Sequence, residues 1–140
     1  MRDGYAREAA PPGPAPMAQA LLAEIADHLA RLFETGEAAA IDLRSLPLSP
    51  ADHAALDAAL GEGEVRATVQ AGGRSEIAET RYPGVWRVEH RAAGGETLLA
   101  QILVTPVPDL LRADPADIAD GAERLRAALA QPEGDDDAEA

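Results

Sequence analysis

The chain has 140 residues and a formal net charge of −13, because 25 acidic residues outnumber 12 basic ones, all of them arginine. Such a surface repels polyphosphate, so neither nucleic acid nor an anionic membrane is an expected partner. The chain has no cysteine, which excludes disulfides, thiolate zinc sites and a cysteine nucleophile. No apolar run approaches the roughly 20 residues of a membrane span, and no secretory signal is evident. We therefore expect a soluble, cytoplasmic protein.

The two ends of the chain differ in composition from its middle. Residues 1–15 are rich in proline and alanine and predict a disordered arm. Residues 132–140 are mostly acidic and predict a disordered, solvated tail. The large apolar side chains lie between these ends, so we expect residues 16–131 to form a single domain.

Two helices are predicted in the first half of the domain. From Met17 to about Thr35, apolar residues recur every three or four positions, and Gly36 is a plausible stop. The stripe consists of Leu21, Leu22, Ile25, Leu29, Leu32 and Phe33. The second helix begins at a capping box, with Ser49 as cap, Pro50 in the first turn and Asp52 as the reciprocal acid, and it ends at Gly61. A brief extended piece, Ile41–Leu43, separates them.

The middle of the chain predicts an antiparallel sheet of about four strands. Alternating or continuous apolar runs are separated by the pairs Gly72-Gly73, Pro83-Gly84 and Gly94-Gly95. The strand segments are Val65–Ala71, Ile77–Tyr82, Val85–His90 and Leu98–Val104. The last is the most apolar and is expected to be the most buried. Trp86, Val88 and His90 share one face, which leaves a charged face with Arg66, Arg87, Glu89 and Arg91 toward solvent.

A final helix follows the sheet. Asp114 and Pro115 repeat the cap logic of the second helix. An apolar stripe then runs to about Ala130 through Ile118, Ala122, Leu125 and Leu129. The fold class is therefore α+β, with helices packed on one face of an antiparallel sheet.

The chain shows no motif that specifies catalysis or a cofactor. His28 and His53 fall on different helices and are expected to be exposed, whereas His90 falls on a strand and is expected to be partly buried and hydrogen-bonded. Metal ligands usually come clustered, so we expect no metal site. No serine lies in a nucleophile elbow, and no glycine-rich loop is followed by lysine. The chain is not expected to be an enzyme or to carry a cofactor.

One segment is unusual for its density of recognition residues. Arg81-Tyr82-Pro83-Gly84-Val85-Trp86 places two aromatic residues and an arginine around a rigid turn, and these residue types are enriched at binding hot spots. Trp86 is better explained as a core aromatic that anchors the helices on the sheet, because large aromatics dominate burial in a small core. Tyr82 and Arg81 fit turn packing and a binding surface equally well.

Several segments together resemble the conserved region of the HupH/HyaF family of [NiFe]-hydrogenase expression/formation proteins. The resemblance extends from about Ile41 to Leu129. Its segments are Leu46–Asp52, Leu56-Asp57, Leu60–Val65, Gly73-Arg74, Arg81–Val88, Val107-Pro108 and Asp114–Ile118. Their order and spacing make it fairly specific.

The resemblance implies an accessory role in maturing an uptake [NiFe]-hydrogenase. Family members are thought to assist the iron–sulfur small subunit before its export, beside a thioredoxin-like accessory protein. The small-subunit precursors carry twin-arginine leaders, which an acidic chain could attract. Many members are about twice as long and carry the conserved region twice, so a single copy could act alone or as a homodimer. No catalytic residue can be transferred from the family.

Our hypothesis is a non-enzymatic chaperone for the small-subunit precursor. The expected contact residues are Arg44, Arg81, Tyr82, Pro83, Gly84, Trp86 and Arg87. The alternative is a small-molecule-binding or regulatory α+β module that uses the sheet face, with a pocket near His90 and Trp86.

Overall fold

The structure, a computed structural model, describes residues 14–70 and 72–131. The expected acidic tail, and all but the last two residues of the expected arm, lie outside the described residues. The chain divides into two compact units, residues 1–106 and residues 107–140, and each is described by itself. The single domain expected over residues 16–131 stays a prediction.

The first unit is an α+β structure whose five strands form one antiparallel sheet. Its elements are α1 (Pro16–Thr35), β1 (Ala39–Asp42), a 3₁₀ turn (Leu43–Ser45), α2 (Pro50–Leu60), β2 (Arg66–Gln70), β3 (Arg74–Glu79), β4 (Val85–Arg91) and β5 (Thr97–Val104). The strand order is β1-β5-β4-β3-β2, with every pair antiparallel. The brief extended piece before α2 is a full member of the sheet, so there are five strands rather than about four.

Helix α1 ends where the sequence predicts. Gly36 adopts φ 79°, and its N–H donates to Leu32 O at 2.8 Å, which is a left-handed C-terminal cap. The helix buries Ala18, Leu21 and Ile25. Phe33 was expected on the buried stripe, but it is 90% exposed. At about 100° of rotation per residue, Phe33 lies off the edge that faces the core, so that part of the stripe was wrong.

Helix α2 confirms the predicted capping box. The Ser49 Oγ accepts from Asp52 N–H at 3.0 Å, and the Asp52 carboxylate accepts from Ser49 N–H at 3.0 Å. Leu56 and Leu60, the predicted apolar edge, are each 1% exposed. An 11-residue helix with a fixed start and a buried edge is held by packing rather than by its intrinsic propensity.

Helices α1 and α2 cover one face of the sheet. The core between them consists of Leu21, Ile25, Ile41, Leu56, Leu60, Val85, Ile102 and Val104. Ile41 and Arg87 are both register partners of Ile102, and directly paired residues share a face. Arg87 therefore lies on the face that the helices cover. The expectation that the face with Arg66, Arg87, Glu89 and Arg91 is turned toward solvent was wrong, because the register places it on the helix-covered side. Arg66, Glu89 and Arg91 still have exposed side chains, whereas Arg87 is only 30% exposed.

The reason for this error lies in strand β4. It buries Val85 on the helix-covered face, and Trp86 and Val88 on the opposite face. The alternation of side chains along a strand shows which residues share a face. Because β4 has buried apolar residues on both faces, the alternation does not show which face the helices cover. The expectation that β5 is the most buried strand was also wrong, because β5 fully buries only Ile102 and Val104.

The second unit contains a 3₁₀ turn (Asp109–Leu111) and α3 (Pro115–Leu129). The Asp114 carboxylate accepts from Ala116 N–H at 2.8 Å and caps α3 as predicted. The helix buries none of its residues. Its apolar residues are exposed, with Ile118 60%, Leu125 63% and Leu129 72% exposed, and the expected packing of this helix on the sheet stays a prediction. No helix of the described segments has the length and apolar character of a membrane span.

Candidate functional site

Three depressions border helix α2 among the described residues of the first unit, and two of them are described first. The arginine cleft lies between α2 and the sheet, and it is lined by Leu43, Arg44, Leu46, His53, Leu56, Asp57, Arg87, Val88, Glu89, Ala100 and Gln101. The tyrosine groove lies between α2 and α1, and it is lined by Leu22, Ile25, Ala26, Leu29, Ala59, Leu60 and Tyr82. The cleft is charged over an apolar floor, whereas the groove contains no charged side chain. The two surfaces therefore suit different ligands.

Arg87 forms one wall of the arginine cleft. It projects from β4 toward α2, where its guanidinium pairs with the Asp57 carboxylate. The Arg87 side chain is 30% exposed and that of Asp57 is 64% exposed. A further depression, lined among others by Gly61, Glu62 and Arg66, lies against the same ion pair. The pair thus stands between two concave surfaces and holds α2 to the sheet.

Arg44 reaches the cleft from the 3₁₀ turn after β1. The Asp42 carboxylate accepts from Arg44 N–H at 3.0 Å, and Ser45 Oγ donates to Asp42 O at 3.0 Å. These two bonds fix the turn and place Arg44 beside α2. Sequence analysis named Arg44 and Arg87 as contact residues, and the structure brings both into one cleft.

The remaining residues of the predicted surface separate into two groups. Tyr82, Pro83 and Gly84 form a turn at the end of the tyrosine groove, in which Val85 N–H donates to Tyr82 O at 2.9 Å. Gly84 has φ 95°, as the third position of a type II turn requires. Tyr82 is 45% exposed, so its ring is available to a partner.

Thr80 fastens this turn and was not identified from the sequence. Its Oγ donates to Val85 O at 2.9 Å and accepts from Tyr82 N–H at 3.1 Å. Thr80 is 1% exposed, so these bonds satisfy a buried hydroxyl. An isolated threonine after a strand carries no sequence signal for this role.

Arg81 lies over the C-terminal end of α2. Its N–H donates to Leu60 O at 2.8 Å, and a Cβ added at Gly61 would stand 2.6 Å from its Nε. A cation at the end of a helix is stabilised by the helix dipole. Arg81 therefore has a structural role and is exposed as well.

Trp86 belongs to neither depression. It lies on the sheet face opposite the helices, it is 5% exposed, and its Nε1–H donates to Thr105 O at 3.1 Å. The interpretation of Trp86 as a buried aromatic agrees with this environment. Its expected role in anchoring the helices was wrong, because α1 and α2 cover the other face.

The histidines occupy three different environments. His90 Nδ1 lies 2.7 Å from Ser75 Oγ in a half-buried cross-strand pair, which confirms the prediction for His90. His53 is exposed as predicted, but His28 is half-buried and lies 3.3 Å from Glu24 Oε2. Within residues 14–70 and 72–131, no three potential metal-ligating side chains are grouped.

Asp52 has a role beyond its helix cap. It is 3% exposed, and its Oδ1 accepts from Ala18 N–H in the first turn of α1 at 3.1 Å. The backbone N–H of Ser49, followed by that of Ala18, holds the pKa of Asp52 below its usual value against the opposing effect of burial. One carboxylate thus caps two helices. Sequence analysis identified only the local half of this arrangement.

The described residues of the first unit form a small α+β structure with open clefts beside a helix. Residues 16–131 match the family described as "HupH hydrogenase expression protein, C-terminal conserved region". The chain belongs to this family, as the sequence resemblance implies.

Individual relatives agree with this assignment. The chain is 37% identical to the hydrogenase expression/formation protein HoxQ of Azotobacter vinelandii, over 76% of this chain and 38% of the relative. It is 37% identical to HupH of Rhodobacter capsulatus over 80% of this chain and 40% of the relative. The hydrogenase-1 operon protein HyaF of Escherichia coli is 30% identical over 79% of this chain and 36% of the relative. The chain spans about two fifths of the length of these relatives.

A solved structure shows the same fold. The hydrogenase expression protein HupH from Thiobacillus denitrificans superposes with a TM-score of 0.79 at 46% sequence identity. The match covers 81% of this chain and 95% of that chain. The region shared with the longer relatives therefore also occurs as a structural unit of similar size.

Proposed function

We propose that the chain is a non-enzymatic accessory protein in [NiFe]-hydrogenase maturation and that it holds the precursor of the iron–sulfur small subunit. Relatives named hydrogenase expression/formation proteins support the pathway. The observation that carries the binding role is the tyrosine groove, which is apolar, open and bordered by an exposed tyrosine.

The chemistry of the groove suits an apolar polypeptide segment. Its floor is formed by Leu22, Leu29 and the small side chains Ala26 and Ala59. Small residues between larger ones leave hollows that accept the side chains of an incoming helix or extended segment. Tyr82 at its end can cover apolar surface and also donate a hydrogen bond.

The charge of the chain adds a second element of recognition. At −13, the chain attracts a basic segment of a partner over long range and accelerates encounter more than it strengthens the final complex. The leader implied by the family resemblance is basic. The proposed order of events is therefore electrostatic approach followed by burial of an apolar segment in the groove.

The test is a tagged pull-down from cells that express the hydrogenase operon, read by mass spectrometry. We expect the unprocessed small subunit with the wild-type chain, and at least tenfold less of it with Tyr82→Ala. The matched control is Leu98→Ala, which removes an apolar side chain of similar exposure, 50%, that does not line the groove. Tyr82→Phe should retain most of the binding.

Other results would contradict this proposal. Recovery of the large subunit alone would move the step within the pathway. Equal recovery with Tyr82→Ala and wild type would remove the groove from the interface. Recovery of neither subunit, in cells that make active hydrogenase, would contradict the chaperone role.

A thioredoxin-like protein recovered with the precursor would support the larger assembly that the family resemblance implies.

A second candidate function is small-molecule binding, and the arginine cleft favours it. The sequence placed such a pocket near His90 and Trp86, but neither residue lines the cleft. The concave surface instead lies on the helix-covered face, between Arg44 and Arg87.

A further inference from the structure

We propose that the arginine cleft is a binding site for a carboxylate group attached to a short apolar body. In this site, Arg44 and His53 supply hydrogen-bond donors that make no bond to the described side chains. Arg87, held by its ion pair with Asp57, forms one wall. The proposal does not depend on the hydrogenase precursor, so failure of the pull-down would leave it intact.

Two arginines and two carboxylates line the cleft, and the ion pairs of the described residues leave one of these arginines unpaired. Arg87 is neutralised by Asp57, and Glu89 is neutralised by Arg91, whose Nη2 lies 2.7 Å from Glu89 Oε1. Arg44 makes no ion pair with any residue that the structure describes. A chain of −13 repels anions over most of its surface. This cleft is a place where an anion meets an uncompensated guanidinium instead.

The available hydrogen-bond donors also match a carboxylate. Arg44 is exposed, and its guanidinium presents five N–H donors in a planar fork that pairs with both oxygens of a carboxylate. Arg87 uses Nη1 for Asp57, which leaves its remaining donors for other acceptors. His53 is exposed on the cleft side of α2. These groups converge on one cavity of about 350 Å³.

The apolar residues that line the cleft are the reason to expect a ligand with an apolar body. Four apolar side chains on the helix-covered side line it: Leu43, Leu46, Leu56 and Ala100. Small-molecule sites typically combine such a lining with a few polar groups that fix orientation. A bare anion would leave this lining exposed to water, whereas a short aliphatic chain would cover it.

Inorganic phosphate fits the cleft less well than a carboxylate. A dianion requires more positive charge than one unpaired arginine supplies, and the whole chain repels it more strongly. At the N-terminus of α2, Ser49 Oγ already accepts from Asp52 N–H, and the Asp52 carboxylate places a negative charge there. A monoanionic carboxylate is therefore the favoured ligand class.

The experiment is a ¹H–¹⁵N NMR titration of the full chain with acetate, butanoate, hexanoate, the neutral hexanamide and inorganic phosphate. We expect saturable shifts at Ala100, Val88 and His53 with hexanoate. The affinity should rise from acetate to hexanoate, and hexanamide should bind at least tenfold more weakly. Equal binding of hexanoate and hexanamide, or tighter binding of phosphate, would overturn the proposal.

Substitutions of Arg44 test whether its guanidinium binds the carboxylate of the ligand. Arg44→Gln should weaken hexanoate binding at least tenfold, and Arg44→Lys should retain part of it. Arg112→Gln, which changes another exposed arginine outside the cleft lining, should bind as wild type does. An amide spectrum with wild-type dispersion shows that each variant is folded. Unchanged affinity in a folded Arg44→Gln variant would contradict the assignment.

A final arm separates two sources of the carboxylate. A short apolar peptide with a free C-terminus is compared with its amidated form and with hexanoate. Tighter binding of the free peptide than of hexanoate identifies a polypeptide C-terminus as the better ligand, and the reverse identifies a free organic acid. Either result supports a carboxylate site, whereas equal binding of the free and amidated peptides, together with no binding of hexanoate, would overturn it.

Discussion

The carboxylate of Asp52 accepts the N–H of Ala18 across 34 positions of sequence, at 3.1 Å. Asp52 lies in the first turn of α2 and Ala18 in the first turn of α1. Because N-terminal turns present N–H groups without partners in their own helix, one buried acid satisfies donors of both helices. The two helices are therefore joined at their N-terminal ends as well as by packing against the sheet.

This arrangement predicts a defined pH dependence. The hydrogen bonds hold the pKa of Asp52 below the usual value of an aspartate. The stabilisation is therefore complete above the pKa in the unfolded chain and is lost as the pH falls below about 4 toward the folded pKa. Asp52→Asn should lower the free energy of unfolding at pH 7, and its difference from wild type should shrink at pH 3.

Urea denaturation at both pH values measures this difference. Asp27→Asn is the control, because Asp27 is exposed on α1. Its difference from wild type should be small at both pH values. A difference for Asp52→Asn that does not change between pH 7 and pH 3 would contradict the role of the ionised carboxylate.

Two aromatic residues four positions apart should respond very differently to truncation. Trp86 is 5% exposed and donates to Thr105 O, whereas Tyr82 is 45% exposed. Trp86→Ala should lower the free energy of unfolding by about 3–5 kcal/mol. Tyr82→Ala should lower it by about 1 kcal/mol or less. Chemical denaturation of the two variants tests this, and similar losses would show that Tyr82 is a core residue.

The turn that presents Tyr82 should depend on Gly84. A left-handed conformation costs alanine about 1–2 kcal/mol, and a Cβ at Gly84 would also stand 3.3 Å from Leu29 Cδ2. Gly36 has φ 79° with no heavy atom near its added Cβ. Gly84→Ala should therefore destabilise more than Gly36→Ala, as measured by thermal unfolding. The opposite order would mean that Leu29 moves aside without cost.

The open stripe of α3 predicts tolerance to truncation. Leu125→Ala should change the free energy of unfolding by less than about 0.5 kcal/mol, since surface substitutions rarely do more. Leu56→Ala, at a residue 1% exposed, should cost about 2–5 kcal/mol. Guanidinium denaturation of both variants provides the measurement. A loss for Leu125→Ala as large as that for Leu56→Ala would mean that α3 is covered in solution.

Local signals explain which features the sequence predicted. The capping box at Ser49, the stop at Gly36 and the turn at Gly84 each depend on a few adjacent residues, and all three were confirmed. The α+β class followed from a change in apolar period from about 3.6 to 2. These features require no knowledge of distant contacts.

The remaining features depend on partners far away in sequence. The face of β4 that the helices cover cannot be read from a strand that buries Val85 on one side and Val88 on the other. The same limit applied to the candidate site. Arg44 and Arg87 were named as members of one contact surface with Tyr82 and Trp86. The pairing of β1 with β5 and of β5 with β4 brings the two arginines to a cleft that neither aromatic residue lines.

The position of β1 at the edge of the sheet has a consequence for synthesis on the ribosome. β1 pairs with β5 alone. Ala39 therefore cannot form its strand pairing until Val104 has been synthesised. Until β5 has left the exit tunnel, β1 has no neighbour, and the helices lack Ile102 and Val104 of the core that they cover. Such non-local pairing delays folding. The nascent chain therefore keeps its apolar helix faces open until translation of the first unit is nearly finished.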